Sequence, residues 1–321
     1  MSNRITVAIS TFRESYIGWV IDLLKALETQ TIQDFEIVVV VNDNHHYYLR
    51  LANVVKRRNF NNRRIILVFN PNDKGIANAR NIALYNSHTP YIAYTDDDAI
   101  PHSQWLEELL FAFKNEKIGS VTGPVICKWE KGTESFGLHF PRELNWIVGC
   151  TPWTMNEIVE VRNGVGSNLA FRRDILLKIQ GFNENYGYNK RNPISGEESE
   201  IGIRMIKNGY VTLWNPKAIV YHRIFRERLV ITKMLKRSFI EGKTKGSLSK
   251  LYGNRASDIE TEHLKSIAKT FIKTKSFQTR SLLVLTTIAV FLGYFSRNSP
   301  KTSTRFIRAR EFEITLQQKR C

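Results

Sequence analysis

Tyr91-Ile92-Ala93-Tyr94-Thr95-Asp96-Asp97-Asp98, followed at once by Ala99-Ile100-Pro101, is the stretch on which the reading of this chain turns. A short apolar run ends in three carboxylates, where a buried strand would emerge from its sheet. Adjacent desolvated anions repel one another and are unstable unless paired or bound to a cation. A divalent cation such as Mg2+ or Mn2+ is the usual remedy, because hard cations prefer carboxylate oxygens. The plainer reading is a strand-to-helix turn, since Asp caps helices well and Ser103-Gln104-Trp105 has the look of a helix start. One Asp satisfies a cap; three exceed that need.

Outward from this run the chain alternates strand and helix. Residues 5–10 are strand-like, and 15–27 carry helical apolar spacing at Ile17, Val20, Ile21, Leu24 and Leu27. Residues 35–41 are continuously apolar apart from Glu36, the type of strand buried on both faces of a parallel sheet. A helix over 51–58, a strand over 65–69, a helix over 76–86 and a strand over 91–94 complete the series. Such βα repetition predicts an α/β fold, a Rossmann-like and mostly parallel sheet flanked by helices, whose ligands bind outside the carboxyl ends of the strands. The acidic triplet stands at one of those ends.

The other strand ends are polar. Thr11-Phe12-Arg13-Glu14 has the T-x-x-E form of a capping box, and Arg13 in the same turn can also meet an anion. Asn42-Asp43-Asn44 can hydrogen-bond a base or ribose. Asn70-Pro71-Asn72-Asp73-Lys74-Gly75 precedes a helix carrying Arg80, so Lys74 and Arg80 are candidate phosphate partners, although lone basic residues more often form a solvated face. Glu197-Glu198 pairs two carboxylates, which can raise the pKa of one toward that of a proton acceptor. Ser195-Gly196-Glu197-Glu198 is equally a capping box for the helix carrying Ile201, Met205 and Ile206. His222 follows an apolar strand over 218–221, the setting of a structural histidine or of a metal ligand.

The ordered set of these pieces resembles family 2 glycosyltransferases of the GT-A fold. It comprises Ser10-Thr11-Phe12-Arg13-Glu14, Gly75-x3-Ala79-Arg80-Asn81, Asp96-Asp97-Asp98, Gly166-Ser167-Asn168-Leu169-Ala170-Phe171, Gly181-Phe182-Asn183-Glu184, Gly196-Glu197-Glu198 and Asn215-Pro216-x4-Val220-Tyr221-His222, spread over residues 4–222. The resemblance implies that Thr11, Arg13 and Glu14 lie near the nucleotide, that Asp43 or Asn42 contacts the base or ribose, and that Lys74, Arg80, Asp96 and Asp97 line the nucleotide-sugar site. Asp98 would ligate Mn2+ or Mg2+, with His222 as a further ligand, and Asp97 is open to a purely structural role. Glu198 matches the family's catalytic Asp and is the preferred base, with Glu197 the alternative. The aromatic, loop-like stretch 140–150 looks like that of archaeal glucosyl-dolichyl phosphate glucuronosyltransferase-like enzymes, although core packing is the safer role for its tryptophan and for Trp153.

Charge divides the 321 residues unevenly. The net charge is +17, of which residues 1–225 contribute +3 and residues 226–321 contribute +14. This asymmetry sets the expected boundary between a catalytic domain, 1–225, and a basic helical C-terminal extension, 226–321. Basic residues interleaved with Leu, Ile, Met and Phe read as a membrane-surface element. The uncharged run 281–295, flanked by Arg280 and Arg297, is shorter than the ~20 residues a bilayer span needs, which favours a peripheral or weakly inserted helix over a span; packing on the catalytic domain is the other reading. Flanking cations suit an anionic cytoplasmic leaflet, so the expected setting is the cytoplasmic face of the cell membrane and the expected acceptor a lipid-linked one or a glycan. Cys127, Cys150 and Cys321 suggest a reducing compartment without a disulfide framework or zinc site, and Met1-Ser2-Asn3-Arg4 runs into the first strand without a signal-peptide pattern.

The leading reading is an inverting, metal-dependent glycosyltransferase acting on a nucleotide-diphosphate sugar, a UDP-sugar for preference. Its rival is a basic nucleic-acid-binding protein, against which stand the near-neutral body and the lack of a nucleic-acid motif. A dinucleotide-binding oxidoreductase fails because no G-x-G-x-x-G follows the first strand.

Overall fold

Strands apolar on both faces need cover on both sides, and the computed structural model of the chain shows how they obtain it. It describes residues 5–58, 60, 64–72, 74–188, 194–253 and 258–296. Asp73, Arg297 and Cys321, named above, lie outside these, as do residues 1–4. The first half runs β1 (Ile5–Thr11), α1 (Ile17–Glu28), β2 (Phe35–Asn42), α2 (His45–Arg58), β3 (Ile65–Asn70), α3 (Ile76–Tyr85) and β4 (Tyr91–Asp96). All eight positions of β2 are buried. Its odd residues Ile37, Val39 and Val41 share a core with Leu23, Leu24 and Leu109, while Val38 and Val40 share another with Ala79, Ala83 and Phe182. That split is the period-2 alternation of a strand covered on both faces. Each such aliphatic side chain contributes on the order of 1.5–3 kcal/mol by leaving water.

The second half comprises β5 (Ala99–Pro101), α4 (Trp105–Ala112), β6 (Ile118–Thr122), β7 (Val125–Trp129), α5 (Glu134–His139), β8 (Val159–Val161), β9 (Leu169–Arg172), α6 (Arg173–Lys178), α7 (Glu197–Lys207), β10 (Val211–Trp214) and β11 (Val220–Ile224). The large sheet has the order β3-β2-β1-β4-β9-β6-β10-β8, and a small one β5-β11-β7. β3, β2, β1 and β4 are parallel, and β9 enters antiparallel between β4 and β6. Parallel register sets Ser10 opposite Asp96, so the ends of β1 and β4 open on the same side. In the small sheet, Ala99 of β5 lies opposite His222 of β11, and Arg223 N donates to the Asp98 carbonyl at 3.0 Å. His222 thus lies within its strand rather than after it, and the backbone itself carries it to the acidic triplet.

Three helices complete the described chain: α8 (Ile231–Tyr252), α9 (Asp258–Lys273) and α10 (Phe277–Phe295). α8 packs on the first 225 residues: Ser247 and Tyr186 hydroxyls share a hydrogen bond of 3.0 Å, and Tyr252 OH donates to Glu200 Oε1 at 2.7 Å. α9 is held through Glu260, which pairs with Arg162 at 2.9 Å and with Lys245 at 2.8 Å. α10 crosses α8 so closely that a Cβ at Gly242 would lie 1.9 Å from the Val290 carbonyl oxygen, and one at Gly293 2.0 Å from that of Phe239. Only glycine permits that approach. The stretch 140–150 is not a loop. Arg142–Val148 forms a 3-10 helix whose Leu144 and Ile147 pack with Met234 of α8 and Leu283 of α10, and Trp146 joins that cluster at its edge. Trp153 is exposed.

α10 also corrects the expectation drawn from length. The helix begins at Phe277 and runs 19 residues, longer than the apolar run 281–295, and is long and apolar enough to cross a membrane by length and composition. Shortness therefore does not argue against a span.

Candidate active site

β4 delivers Asp96 to its last position and turns sharply into β5, so Asp96, Asp97 and Asp98 point to different surroundings. Asp98 is buried. Its Oδ1 lies 3.1 Å from His222 Nε2, and its Oδ2 accepts from Arg228 Nη2 at 2.5 Å. Burial alone would raise its pKa, but His222 and Arg228 overcome that and hold it well below the usual carboxylate range. Asp96, partly exposed, lies 4.0 Å from the same His222 nitrogen; desolvation pushes its carboxyl up, against the pull of Arg80. Asp97 turns inward, where its Oδ2 accepts from Thr11 Oγ1 at 2.6 Å while Thr11 also bonds the Tyr47 hydroxyl at 3.0 Å. Burial, reinforced by Asp98, drives the Asp97 carboxyl well above its ordinary value.

Asp96, Asp98 and His222 each offer a ligand atom, all within 4.8 Å of one another. Two carboxylates and an imidazole are a donor set suited to a divalent metal ion. His222 Nδ1 is buried without a hydrogen-bond partner among the described residues, so Nε2, the nitrogen that faces both carboxylates, is the one positioned to bind. The site residues fit a metal.

A second carboxylate pair stands across the cleft. The N-terminus of α7 presents Glu197 and Glu198 to Arg80, which is buried in the middle of α3. Arg80 Nη1 donates to Glu197 Oε1 at 2.9 Å and to Glu198 Oε1 at 3.3 Å, and its Nη2 lies 3.9 Å from Asp96 Oδ1. One guanidinium therefore joins the metal-binding group to the paired glutamates. Side-chain exposure separates the pair: Glu197 retains 5% and Glu198 23%. Burial and the adjacent Glu198 push Glu197 up to about 8, opposed by Arg80. Glu197 is thus a proton holder at neutral pH, and Glu198 is the accessible carboxylate. Gly166 closes this corner, since a Cβ there would fall 2.1 Å from both Arg80 Nη2 and Glu198 Oε1.

Neither expected capping box forms. Thr11 is still inside β1 and its hydroxyl is taken by Asp97, while Glu14 pairs with Arg50 and His46. α7 is capped by Gly196 in a left-handed conformation, φ 98°, with no side-chain cap, and its start at Glu197 leaves Glu198 one position early for the box. Freed from the cap, Glu198 faces the cleft. Arg13 donates to Tyr16 OH at 2.7 Å and lies over the Phe12 and Tyr16 rings. Asp43 directly follows β2 with φ 51° and is exposed, as is Lys74 in the loop before α3. The structure thus gathers Asp96, Asp98, His222, Arg80, Glu197 and Glu198, links Thr11 and Asp97 beneath them, and leaves Arg13, Glu14, Asp43 and Lys74 around the strand ends.

Sequence reasoning missed Arg228 and Tyr47. Arg228 sits in the 3-10 turn Arg226–Leu229, beyond the strand of His222, and also donates to the Val148 carbonyl at 3.2 Å. In the sequence it is one cation among the many of the basic extension, with no local signal that distinguishes it.

Comparison with known proteins places these residues in a family context. Residues 6–180, just over half of the chain, match the glycosyl transferase family 2 profile. The chain is 30% identical over 211 residues to a glucosyl-dolichyl phosphate glucuronosyltransferase of Haloferax volcanii, covering 65% of this chain and 66% of that protein. It is 27% identical over 177 residues to the succinoglycan biosynthesis protein ExoM of Rhizobium meliloti, covering 54% and 52%. It therefore spans about two thirds of the first of these relatives and about half of the second. Among solved structures, the mannosyltransferase PcManGT of Pyrobaculum calidifontis, in complex with GDP-Man and Mn2+, superposes with a TM-score of 0.59 at 15% identity over 92% of this chain and 88% of that one. That likeness concerns the GT-A fold. The nucleic-acid alternative gains no support from any of these matches. With its ordered motifs gathered in one cleft at the strand ends and a family match over more than half its length, the chain belongs to glycosyl transferase family 2.

Proposed function

We propose that this protein is an inverting glycosyltransferase that moves a sugar from a nucleotide-diphosphate donor, a UDP-sugar in the first instance, to a lipid-linked or glycan acceptor. The observation that carries this reading is Arg80, which touches Asp96 on one side and Glu197 and Glu198 on the other. A diphosphate-binding side and a proton-accepting side thus meet in a single cleft. Glu198, the more accessible glutamate, takes the acceptor hydroxyl proton on the oxygen turned away from Arg80. The acceptor oxygen bonds to the anomeric carbon from the opposite face as the bond to the diphosphate breaks, and the nucleoside diphosphate leaves. Arg80, itself anchored by Glu197, holds Glu198 in place. Asp96, Asp98 and His222 would hold Mn2+ or Mg2+, which when bound offsets charge developing on the leaving diphosphate. Thr11 positions the triplet through Asp97, and Asp43, Arg13, Glu14 and Lys74 stand where the base, ribose and phosphates of a donor would lie.

For the acceptor, the name of the Haloferax volcanii relative favours a polyisoprenyl-linked sugar. The C-terminal helices favour the same class. Ile272, Phe277, Leu292 and Phe295 are exposed on α9 and α10, and the exposed cations Lys269, Lys273, Lys275 and Arg280 flank the first two of them in the chain. An apolar face edged with cations suits a negatively charged membrane surface. α10 is pressed along α8, which carries Lys233, Lys236, Lys243 and Lys250, so a bilayer crossing by α10 would drag charged residues with it. We therefore place residues 226–321 as a peripheral, weakly inserted extension of the catalytic domain 1–225, on the cytoplasmic face.

Release of nucleoside diphosphate from UDP-, GDP- and dTDP-sugars with Mn2+ and a short polyprenyl-phosphate sugar tests the reading, with the product anomer assigned by NMR. Inversion at the anomeric carbon is expected. Retention of configuration, or turnover unchanged by Glu198→Gln, would overturn it.

A further inference from the structure

We propose that Arg237 of α8 is an oxyanion-binding residue of this site, the arm that receives a phosphate group on the side of the cleft facing the C-terminal extension. This deepens the nucleotide-sugar reading above and rests on it. The placement comes from the course of α8. Just before the helix, Arg228 donates to Asp98 at the metal-binding group. Further along, Thr244 lies against Gly196, where a Cβ would approach its Cγ2 to 2.4 Å, and Thr244 Oγ1 accepts from Ser195 N at 3.3 Å, directly before the Glu197-Glu198 pair. α8 therefore runs from the carboxylates of the metal side to the glutamates of the base side.

Arg237 lies between these two anchors. It precedes Thr244 by seven residues, two helical turns, so both project from the same face at about 10 Å of rise. Its i+4 neighbour Glu241 is committed to Lys245 at 3.2 Å. Among the described residues, Arg237 makes no hydrogen bond or ion pair, although Arg228, Asp98, Asp96 and Glu241 all act on it electrostatically. Its side chain is solvent-accessible, yet surrounding protein and the Arg228 charge hold its pKa down to about 10, so it remains charged. An accessible, uncommitted guanidinium on the helix between Arg228 and Thr244, within electrostatic reach of Asp96 and Asp98, is poised for an oxyanion, which its planar fork can bind with two donors. Arg80, by contrast, is already hydrogen-bonded to Glu197 and Glu198 and paired with Asp96.

The same phosphate chemistry is offered by the donor's diphosphate and by a polyisoprenyl-phosphate acceptor, and the test distinguishes them. Binding of UDP, GDP, uridine and a short-chain polyprenyl phosphate in detergent would be measured by calorimetry with Mn2+, for the full chain and for Arg237→Gln, Arg237→Lys and Lys236→Gln. Lys236→Gln removes the same charge from the adjacent, exposed position and is expected to bind like the parent. Arg237→Gln should weaken either the nucleoside diphosphate or the polyprenyl phosphate by about ten- to hundredfold, the loss of a charge-assisted hydrogen bond. Uridine should be unaffected, and Arg237→Lys should recover part of the loss. A loss confined to the diphosphate assigns the donor, and one confined to the lipid phosphate assigns the acceptor. A parent that binds UDP while Arg237→Gln binds both phosphates equally well overturns this proposal alone. A parent that binds no nucleoside diphosphate overturns the nucleotide-sugar reading and this proposal with it. Unchanged thermal unfolding of Arg237→Gln, expected for an exposed residue without partners, separates lost binding from lost folding.

Discussion

Arg80→Met removes the charge on which the centre of the cleft depends, and its cost should depend on pH. Arg80 and Glu197 each expose only 5% of their side chains and meet at 2.9 Å, with Glu198 at 3.3 Å and Asp96 at 3.9 Å. Methionine matches most of the volume, so the perturbation is electrostatic. Removing one partner of a buried pair typically costs about 3–5 kcal/mol because the other charge is left unpaired. For a catalytic domain of this size that corresponds to a fall in Tm of roughly 6–20 °C. The sign with pH follows from Glu197, whose folded pKa is raised to about 8 against an ordinary carboxylate value. Because the folded state holds a proton that the unfolded state has released, stability falls as pH rises through that window. Arg80 is the group that pulls this pKa down, so its loss extends the window upward. Near pH 5 Glu197 is neutral and the variant should lose only about 2 kcal/mol, the hydrogen bonds to Glu197 and Glu198; near pH 9 it should lose the full amount. Thermal unfolding followed by circular dichroism at both pH values checks this, and adding Glu197→Gln should restore most of the loss at high pH. A Tm for Arg80→Met equal to the parent's at high pH, or lowered equally at both, would refute the account.

Three further outcomes follow from the same geometry. Asp98→Asn removes a carboxylate held between His222 and Arg228, and should abolish Mn2+-dependent turnover; unaltered Mn2+ affinity by titration would count against the metal group. Glu198→Gln should lower kcat by about 10²–10⁴ while leaving donor affinity near that of the parent, whereas an equal fall in donor binding would assign Glu198 to the donor instead. Gly293→Leu inserts a side chain where even a Cβ would sit 2.0 Å from the Phe239 carbonyl oxygen. It should part α10 from α8 and lower the thermal stability of the C-terminal region, and an unchanged melting profile would show that the crossing is not required.

What was legible in the sequence was legible because it is local. The apolar run of β2 and the helical spacing of α1 are properties of consecutive residues, and both elements appear within a few positions of where their pattern places them. The carboxylate triplet was recognisable because three adjacent anions cannot be buried without compensation, whatever surrounds them. The capping boxes failed for the converse reason. Thr11 had a second candidate partner, Asp97, 86 residues away, and only folding determined which one took its hydroxyl. The carboxylate partners of Arg80 could not be read there, because nothing near it in sequence announces Glu197 and Glu198, more than a hundred residues distant.

The alternation of strands and helices, the polar character of the strand ends and the segregation of positive charge to the last third are thus written in the order of the residues. Only the tertiary structure decided which charges meet. It carried His222 to Asp98 through the pairing of β5 with β11, set Arg80 between the two carboxylate groups, and brought Arg228 from the basic extension onto the acidic triplet. The physical reason is that backbone periodicity is imposed residue by residue, whereas an ion pair is a property of distance, and distance between remote residues exists only once the sheet has closed.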